Sequence, residues 1–87
     1  MTYEVRLTRS AQRALTEELP EKIAAAAWNF IMGALSENPH RVGKQLREPL
    51  HPLYSARRGE YRVIYRIHDD VLIIEIVTIA HRRDSYR

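Results

Sequence analysis

The chain has 87 residues, no cysteine and a formal net charge of +3, and 45% of its residues are hydrophobic. This length predicts a single domain, residues 1–87, and the apolar fraction excludes a disordered chain. The lack of cysteine excludes a disulfide framework and a thiolate metal site. The first ten residues lack a secretory apolar run and residues 23–36, the longest uncharged run, are too few to cross a membrane, so we expect a cytoplasmic protein.

Charge is unevenly distributed along the chain. Residues 1–39 carry four basic and five acidic side chains, whereas residues 40–87 carry ten basic and six acidic ones. Twelve of the 14 basic residues are arginine, whose planar guanidinium binds phosphate in a bidentate manner that lysine cannot match. The pattern favours a polyanionic partner, although a coding sequence rich in G and C would also enrich arginine.

The N-terminal part of the sequence predicts one strand and two helices. Residues 2–8 alternate apolar and polar side chains, which is the period of a strand with one buried face. Thr8 or Ser10 is suited to cap a short helix, and Pro20 ends it because the residue before a proline disfavours the helical conformation. A second helix over about residues 20–37 carries an apolar stripe at three- and four-residue spacing, so the two helices form a hairpin.

The C-terminal part predicts three strands after an irregular connection. Residues 40–53 contain two prolines and a glycine, which favour a loop. From Tyr54 the chain reads as strands, and residues 71–80, VLIIEIVTIA, are typical of a central strand covered on both faces, joined to the preceding strand by a turn at residues 68–70. The predicted fold class is α+β, in the order β-α-α-β-β-β, with the N-terminal helical hairpin packed on one face of an antiparallel sheet.

Three stretches carry a resemblance to a known family. They are "GKQLREPL" before the second strand, "YSARRGEYRVIYRI" across the next two strands and "HRRDSYR" at the end. With the element order, they resemble a RelE-type toxin of a bacterial type II toxin-antitoxin system, within the RelE/ParE superfamily. The YRVIYRI strand marks the superfamily, and the closing pattern of His81, Arg82 and Tyr86 discriminates further. The resemblance implies ribosome-dependent cleavage of mRNA and a cognate antitoxin as partner.

The chemistry of RNA cleavage can be set beside this resemblance. Without a metal, cleavage needs a base for the 2′-OH proton, an acid for the leaving 5′ oxygen and cations around the phosphate. The predicted catalytic residues are three arginines at the phosphate and two side chains for proton transfer: Arg57, Arg62, Arg82, His81 and Tyr86. The predicted RNA-binding residues are Lys44, Arg47, Arg58 and Arg83. No acidic cluster or histidine pair has metal-ligand spacing, so we expect neither a metal nor another cofactor.

One departure from the family pattern concerns the general base. Well-known ribosome-dependent members carry two lysines, two residues apart, on the second strand. The corresponding positions here are Leu53 and Ser55. If the chain is an enzyme, Lys44, His81 or Tyr86 must replace them.

The register of the last two strands decides which side chains share a face. A three-residue loop that pairs Ile67 with Val71 places Arg62 opposite Ile76 and leaves Arg82 on the same face. A two- or four-residue loop would bring His81 and Glu75 to that face instead, and a bulge could restore either arrangement. The family resemblance favours the three-residue loop.

Alternatives remain open for the function and for single residues. A ParE-type DNA gyrase inhibitor would share the fold, although the His81, Arg82 and Tyr86 tail argues against it, and the absent lysine pair favours a catalytically silent antitoxin- or nucleic-acid-binding module. Arg62 could instead form a surface ladder with Glu75. Other residues have structural readings: Tyr61 and Tyr65 as core aromatics, and Trp28 as a partner contact or a peripheral core residue.

Overall fold

The computed structural model describes residues 2–81, in which helices pack on one face of a five-stranded sheet. The strands are β1 (Glu4–Leu7), β2 (Lys44–Gln45), β3 (Tyr54–Arg58), β4 (Tyr61–His68) and β5 (Ile73–His81). Their order across the sheet is β1-β5-β4-β3-β2. Within residues 2–81 no helix has the length and apolar character that crossing a membrane requires.

The helices follow the predicted hairpin. Helix α1 (Arg9–Arg13) continues as a wider π-helical turn, Ala14–Glu18, and helix α2 (Glu21–Phe30) continues in the same way over Ile31–Leu35. A four-residue helix, α3 (Pro39–Val42), leads to β2. Thr8 caps α1, because its Oγ1 accepts a hydrogen bond from the amide of Ala11 at 3.2 Å. The predicted helical hairpin is therefore confirmed.

The sequence predicts an antiparallel sheet, and this prediction is wrong for one strand, because β1 runs parallel to β5. Only β2 to β5 form an antiparallel series. Strands joined by short turns pair in the antiparallel sense. The strands β1 and β5 are instead separated by most of the chain, so their connection allows parallel pairing. The added strand β2 lies in the segment predicted to be irregular. Its two residues carry too little pattern to be recognised in a sequence.

The hydrophobic core lies between the helices and one sheet face. Its fully buried members include Ala27 and Ile31 from the helical layer and Val63, Tyr65 and Ile76 from the sheet. The hydroxyl of Tyr61 also donates to the carbonyl of Ala26 at 3.2 Å. Tyr61 and Tyr65, 7% and 0% exposed, are core aromatics as predicted. Strand β5 is interior to the sheet, but alternate side chains are only half-buried, so helices cover one of its faces rather than two.

The β4–β5 hairpin differs from the predicted register. Its paired ends are His68 and Ile73, so the loop has four residues rather than three. Leu72 adopts a positive φ of 54° and Val71 is 58% exposed, so these strand-like residues belong to the turn. Glu75 pairs with Arg66 as a consequence. The predicted pairing of Ile67 with Val71 is wrong.

A β-bulge then changes which face the end of β5 presents. Ile64 pairs with Thr78 and Tyr65 with Ile76, which leaves Val77 as the extra residue. The carbonyl of Val77 accepts a hydrogen bond from Thr8 Oγ1 at 2.6 Å, so the helix cap also satisfies the bulge. Beyond it, His81 pairs with Tyr61 and shares the helix-facing side. The four-residue loop thus brings Glu75 to the face of Arg62, but not His81.

Candidate nucleic-acid interface

The sheet face opposite the helices carries several strand arginines. Directly paired residues of an antiparallel ladder share a face, and so do alternate residues of one strand. Arg57 pairs with Arg62, and Lys44 pairs with Ser55, two residues before Arg57. Lys44, Arg57 and Arg62 therefore lie on one face, which we call the arginine face.

These three cations line one groove of about 460 Å³. Its other described lining residues are neutral: Val42, Gly43, Leu46 and Ser55. Arg62 is half-buried, whereas Lys44 and Arg57 are exposed. Like charges that face each other across two strands are destabilising, so an anion bound between them would be favoured. This groove, hereafter the basic groove, is the candidate phosphate site.

The backbone before Lys44 passes unusually close to the sheet. A Cβ added to Gly43 would overlap the hydroxyl oxygen of Tyr65 and lie 3.0 Å from the carbonyl oxygen of Ser55. The Tyr65 hydroxyl donates to the carbonyl of Pro39 at 2.6 Å. Burial raises the pKa of Tyr65, so this hydroxyl stays protonated and able to donate at neutral pH. Glycine at position 43 thus permits the approach that brings Lys44 opposite Ser55.

The structure brings only part of the predicted site together. Lys44, Arg57 and Arg62 meet in the basic groove, but Arg58 and His81 pair with Tyr61 on the helix-facing side. The Arg58 guanidinium carbon lies 4.8 Å from the centroid of the Phe30 ring, which is a cation–π contact. Ala80, not Glu75, stands opposite Arg62, so the alternative of an Arg62–Glu75 ladder is wrong.

Of the four other predicted residues, one lies in the described part of the chain. Arg47 is exposed in the turn between β2 and β3, where its carbonyl accepts from the amide of Leu50 at 2.9 Å. It does not line the basic groove. Arg82, Arg83 and Tyr86 lie outside the described residues, so their roles stay predictions.

A polar cluster that sequence analysis missed joins α3 to the far end of the sheet. The hydroxyl of Tyr3 donates to Asp69 Oδ1 at 2.6 Å, and His40 Nε2 lies 2.9 Å from both oxygens of the same carboxylate. His40 Nδ1 lies 3.2 Å from the hydroxyl of Tyr54. The hydrogen bonds from Tyr3, which has the larger effect, and from His40 hold the pKa of Asp69 below its usual range. The members come from four separate segments, so no local pattern signals the cluster.

A cleft of about 590 Å³ with a mixed polar and apolar lining runs along the edge strand β1. Trp28 and Met32, one turn apart on the helical hairpin, contribute to its wall and are 42% and 47% exposed. Trp28 is therefore a surface residue rather than a peripheral core residue. Among the described strands only β5 pairs with β1, so the outer edge of β1 offers backbone groups to a partner.

Comparison with known proteins identifies the family. A family model described as the ParE toxin of the type II toxin-antitoxin system parDE matches residues 5–86. The chain belongs to the RelE/ParE family of toxins. It is 54% identical over 85 residues to Toxin RelE of Mycobacterium tuberculosis, covering 98% of this chain and 87% of the relative. It is 48% identical over 87 residues to Toxin RelG of the same organism, covering 100% and 99%.

The fold comparison agrees with this family. The chain superposes with a TM-score of 0.90 on one chain in the structure of the toxin-antitoxin complex RelBE2 from M. tuberculosis, at 46% identity over 94% of this chain and 100% of the other. The resemblance to RelE-type toxins and the predicted RelE-like α+β fold are confirmed. The RelE/ParE family combines toxins under both names, so the molecular target has to be argued from the site.

Proposed function

We propose that this toxin cleaves mRNA on the ribosome, without a metal ion, in the basic groove. The observation that carries the proposal is the pair Arg57 and Arg62, opposed across β3 and β4 with Lys44 beside them. A phosphate in the groove would accept charge-assisted hydrogen bonds from both guanidinium groups. The names RelE and RelG of two relatives support the same activity.

The side chains of the groove suit different steps of cleavage. Arginine remains protonated at any physiological pH, so Arg57 and Arg62 would stabilise the charge that builds on the phosphate. Lysine can transfer a proton, and Lys44 is the described lining residue with that ability. We assign it the base that removes the 2′-OH proton. Lys44 is preferred to His81 because it lines the same groove as Arg62, whereas His81 pairs with Tyr61 on the other face.

The remaining predicted residues complete the proposal. Arg82 would add a third contact to the phosphate and Tyr86 would protonate the leaving 5′ oxygen. Arg47 and Arg83 would hold RNA outside the groove. Arg58 is less suited to this role, because its guanidinium lies over Phe30 on the helix-facing side.

We also propose a cognate antitoxin that keeps the toxin inactive in the cytoplasm. The superposed RelBE2 structure is a toxin-antitoxin complex, which supports a partner of this kind. The cleft along β1, with Trp28 and Met32, suits an amphipathic or extended antitoxin segment, because exposed aromatic and thioether side chains are common anchors at interfaces.

Gyrase inhibition is the second candidate, because the matching family model is described as a ParE toxin. A single experiment separates the two: the toxin is induced in a bacterium, and primer extension on a known transcript is combined with a reporter of DNA damage. New transcript ends within codons, without a damage response, are expected for the ribonuclease. A damage response with intact transcripts would identify a gyrase inhibitor, and normal growth with neither signal would indicate a silent binding module.

A further inference from the structure

We propose that His40 is a positioning residue for Lys44, because its bonds to Asp69 and Tyr54 fix the segment that carries Lys44 across the sheet edge. The inference rests on the role of Lys44 in the basic groove that is proposed above. It assigns a function to a polar cluster that lies outside that groove.

The segment needs an external anchor. Helix α3 (Pro39–Val42) has only four residues, far fewer than an independently stable helix, and its N-cap Asn38 makes no side-chain capping bond. Strand β2, which contains Lys44, adds only two residues at the edge of the sheet. The position of Lys44 therefore depends on the contacts that α3 makes with the rest of the fold.

Two of the contacts at the start of α3 are made with side chains of the sheet. The carbonyl of Pro39 accepts from the buried hydroxyl of Tyr65, which fixes the height of the helix above the sheet. The ring of His40 meets the ring of Tyr54 edge-on, with centroids 5.7 Å apart, and Tyr54 in turn stacks on Tyr65 at 5.6 Å. His40 thus sits against a pair of stacked tyrosines that belong to β3 and β4.

The hydrogen bonds of both His40 ring nitrogens fix the orientation of the segment relative to the sheet as well as its distance from it. Nε2 lies 2.9 Å from Asp69 in the β4–β5 loop, and Nδ1 lies 3.2 Å from the hydroxyl of Tyr54 in β3. Asp69 is itself held by the hydroxyl of Tyr3. A side chain that is hydrogen-bonded at both ring nitrogens cannot rotate freely. The backbone of residues 39–44 is therefore held in one conformation between the cluster and the groove.

The exposure of the cluster argues for positioning rather than for global stability. The side chains of His40 and Asp69 are 50% and 57% exposed, and a pair that solvent reaches to this extent contributes little to the free energy of unfolding. Its effect should therefore appear locally, in the order of residues 39–44 and in the reaction that depends on Lys44.

The test uses three substitutions of one residue. His40→Ala removes both bonds, His40→Gln places an amide nitrogen near the position of Nε2, and His40→Asn places one near Nδ1. Amide hydrogen exchange is measured for residues 40–45 and for β4 as an internal reference. Single-turnover cleavage of a ribosome-bound transcript is measured for each variant with Lys44 and with Lys44→Ala.

We expect His40→Ala, which removes two partly exposed hydrogen bonds, to speed exchange at residues 40–45 by about tenfold and to leave β4 unchanged. Cleavage should fall by a similar factor when Lys44 is present and should not fall further in the Lys44→Ala background. His40→Gln should retain more activity than His40→Asn, because it keeps a donor toward the Asp69 carboxylate.

Two results would overturn the inference. One is exchange at residues 40–45 that does not change in His40→Ala, and the other is an equal loss of cleavage with and without Lys44, which would show that His40 acts through another group. A wild-type protein that cleaves no ribosome-bound transcript would contradict the proposed function. The exchange measurement would then still decide whether His40 fixes the segment.

Discussion

Arg57 and Arg62 stand directly opposite each other on β3 and β4, two guanidinium-bearing side chains on one sheet face. The two-residue turn Gly59–Glu60 fixes this arrangement, because it joins Arg58 directly to its partner Tyr61. Gly59 supplies the positive φ of 52° that so tight a turn favours. Local geometry thus places two arginine side chains on one sheet face at directly paired positions, an arrangement that suits the binding of an anion.

The first prediction compares two arginines of the same hairpin. Arg62→Ala should slow single-turnover cleavage of a ribosome-bound transcript by about 100-fold or more, the usual loss when one donor to a transition-state oxyanion is removed. Arg58→Ala should change the rate by less than about threefold, because Arg58 faces Phe30 rather than the groove.

The two variants also differ in stability, in the opposite sense. Loss of the cation–π contact in Arg58→Ala should lower the free energy of unfolding by about 0.5 kcal/mol. Arg58→Ala is therefore predicted to be less stable than Arg62→Ala but more active. Circular dichroism and urea unfolding provide the control. Equal losses of cleavage in the two variants would indicate a diffuse basic surface instead of a defined phosphate site.

The second prediction separates Lys44 from His81, two of the three side chains that the sequence analysis named as possible replacements for the general base. Lys44→Ala should reduce cleavage by about 100-fold or more, the loss typical of a general base, whereas His81→Gln should stay within about threefold of wild type. Lys44→Arg is the matched control, because it keeps the charge and removes a group able to accept a proton. Full activity of Lys44→Arg would show that Lys44 serves as a phosphate contact, and a large loss in His81→Gln would restore His81 as the base.

The contrast between Lys44 and His81 also shows what could be predicted from the sequence. The periodicity of the helices and of β4 is local, and these elements were predicted at nearly the right residues. The face of His81 depends on the bulge at Val77, which is held by Thr8 from a distant part of the chain. No local pattern carries such a contact, so the sequence alone left open whether His81 shares the face of Arg62.

Lys44 and His40 illustrate the same limit within the site. The arginines of β3 and β4 follow from one tight turn, so their grouping could be read from the sequence. Lys44 reaches them only because the chain packs closely at Gly43, and His40 acquires partners from two other segments. Long-range packing therefore completes a site of which the sequence indicated one wall.

The third prediction tests the close approach at Gly43. Gly43→Ala should destabilise the protein by about 1–3 kcal/mol, the usual cost of overpacking, because the added methyl group overlaps the Tyr65 hydroxyl. Urea unfolding of Gly43→Ala is compared in the wild-type, Tyr65→Phe and Tyr61→Phe backgrounds. The cost should be smaller with Tyr65→Phe, which removes the overlapping oxygen, and unchanged with Tyr61→Phe. The same cost in all three backgrounds would contradict this packing.

The fourth prediction concerns the pH dependence of stability. Hydrogen bonds from Tyr3 and His40 lower the pKa of Asp69 below its reference value of 3.8. A carboxyl group whose pKa is lowered by folding stabilises the fold above its unfolded pKa, and this contribution is lost as the pH falls through the lower, folded value. Because the Asp69 side chain is more than half exposed, the effect is small: Asp69→Asn should be slightly less stable than wild type near neutral pH, and the difference should shrink as the pH falls below about 4.

The control for Asp69 is its neighbour in the sequence. Asp70→Asn removes the same charge and leaves the bonds to Tyr3 and His40 in place. Urea unfolding from pH 2 to pH 6 is measured for wild type and both variants. A difference between wild type and Asp69→Asn that is the same across this range, or that Asp70→Asn reproduces, would show that the two hydrogen bonds do not favour the charged form.

The last prediction concerns antitoxin binding at the cleft along β1. Trp28→Ser should weaken the affinity for the antitoxin by about 30-fold or more, since a central aromatic anchor typically contributes at least 2 kcal/mol at an interface.

Leu50→Ser is the matched control, because Leu50 is an exposed apolar residue, 54% accessible, in the turn between β2 and β3. It should bind within about threefold of wild type. Both side chains are exposed, so neither substitution should change the free energy of unfolding by more than about 0.5 kcal/mol. Titration calorimetry with the purified antitoxin measures the affinity, and in cells the Trp28→Ser toxin should still arrest growth when the antitoxin is co-expressed at a level that protects against wild type. If Trp28→Ser binds as tightly as wild type, the antitoxin uses another surface.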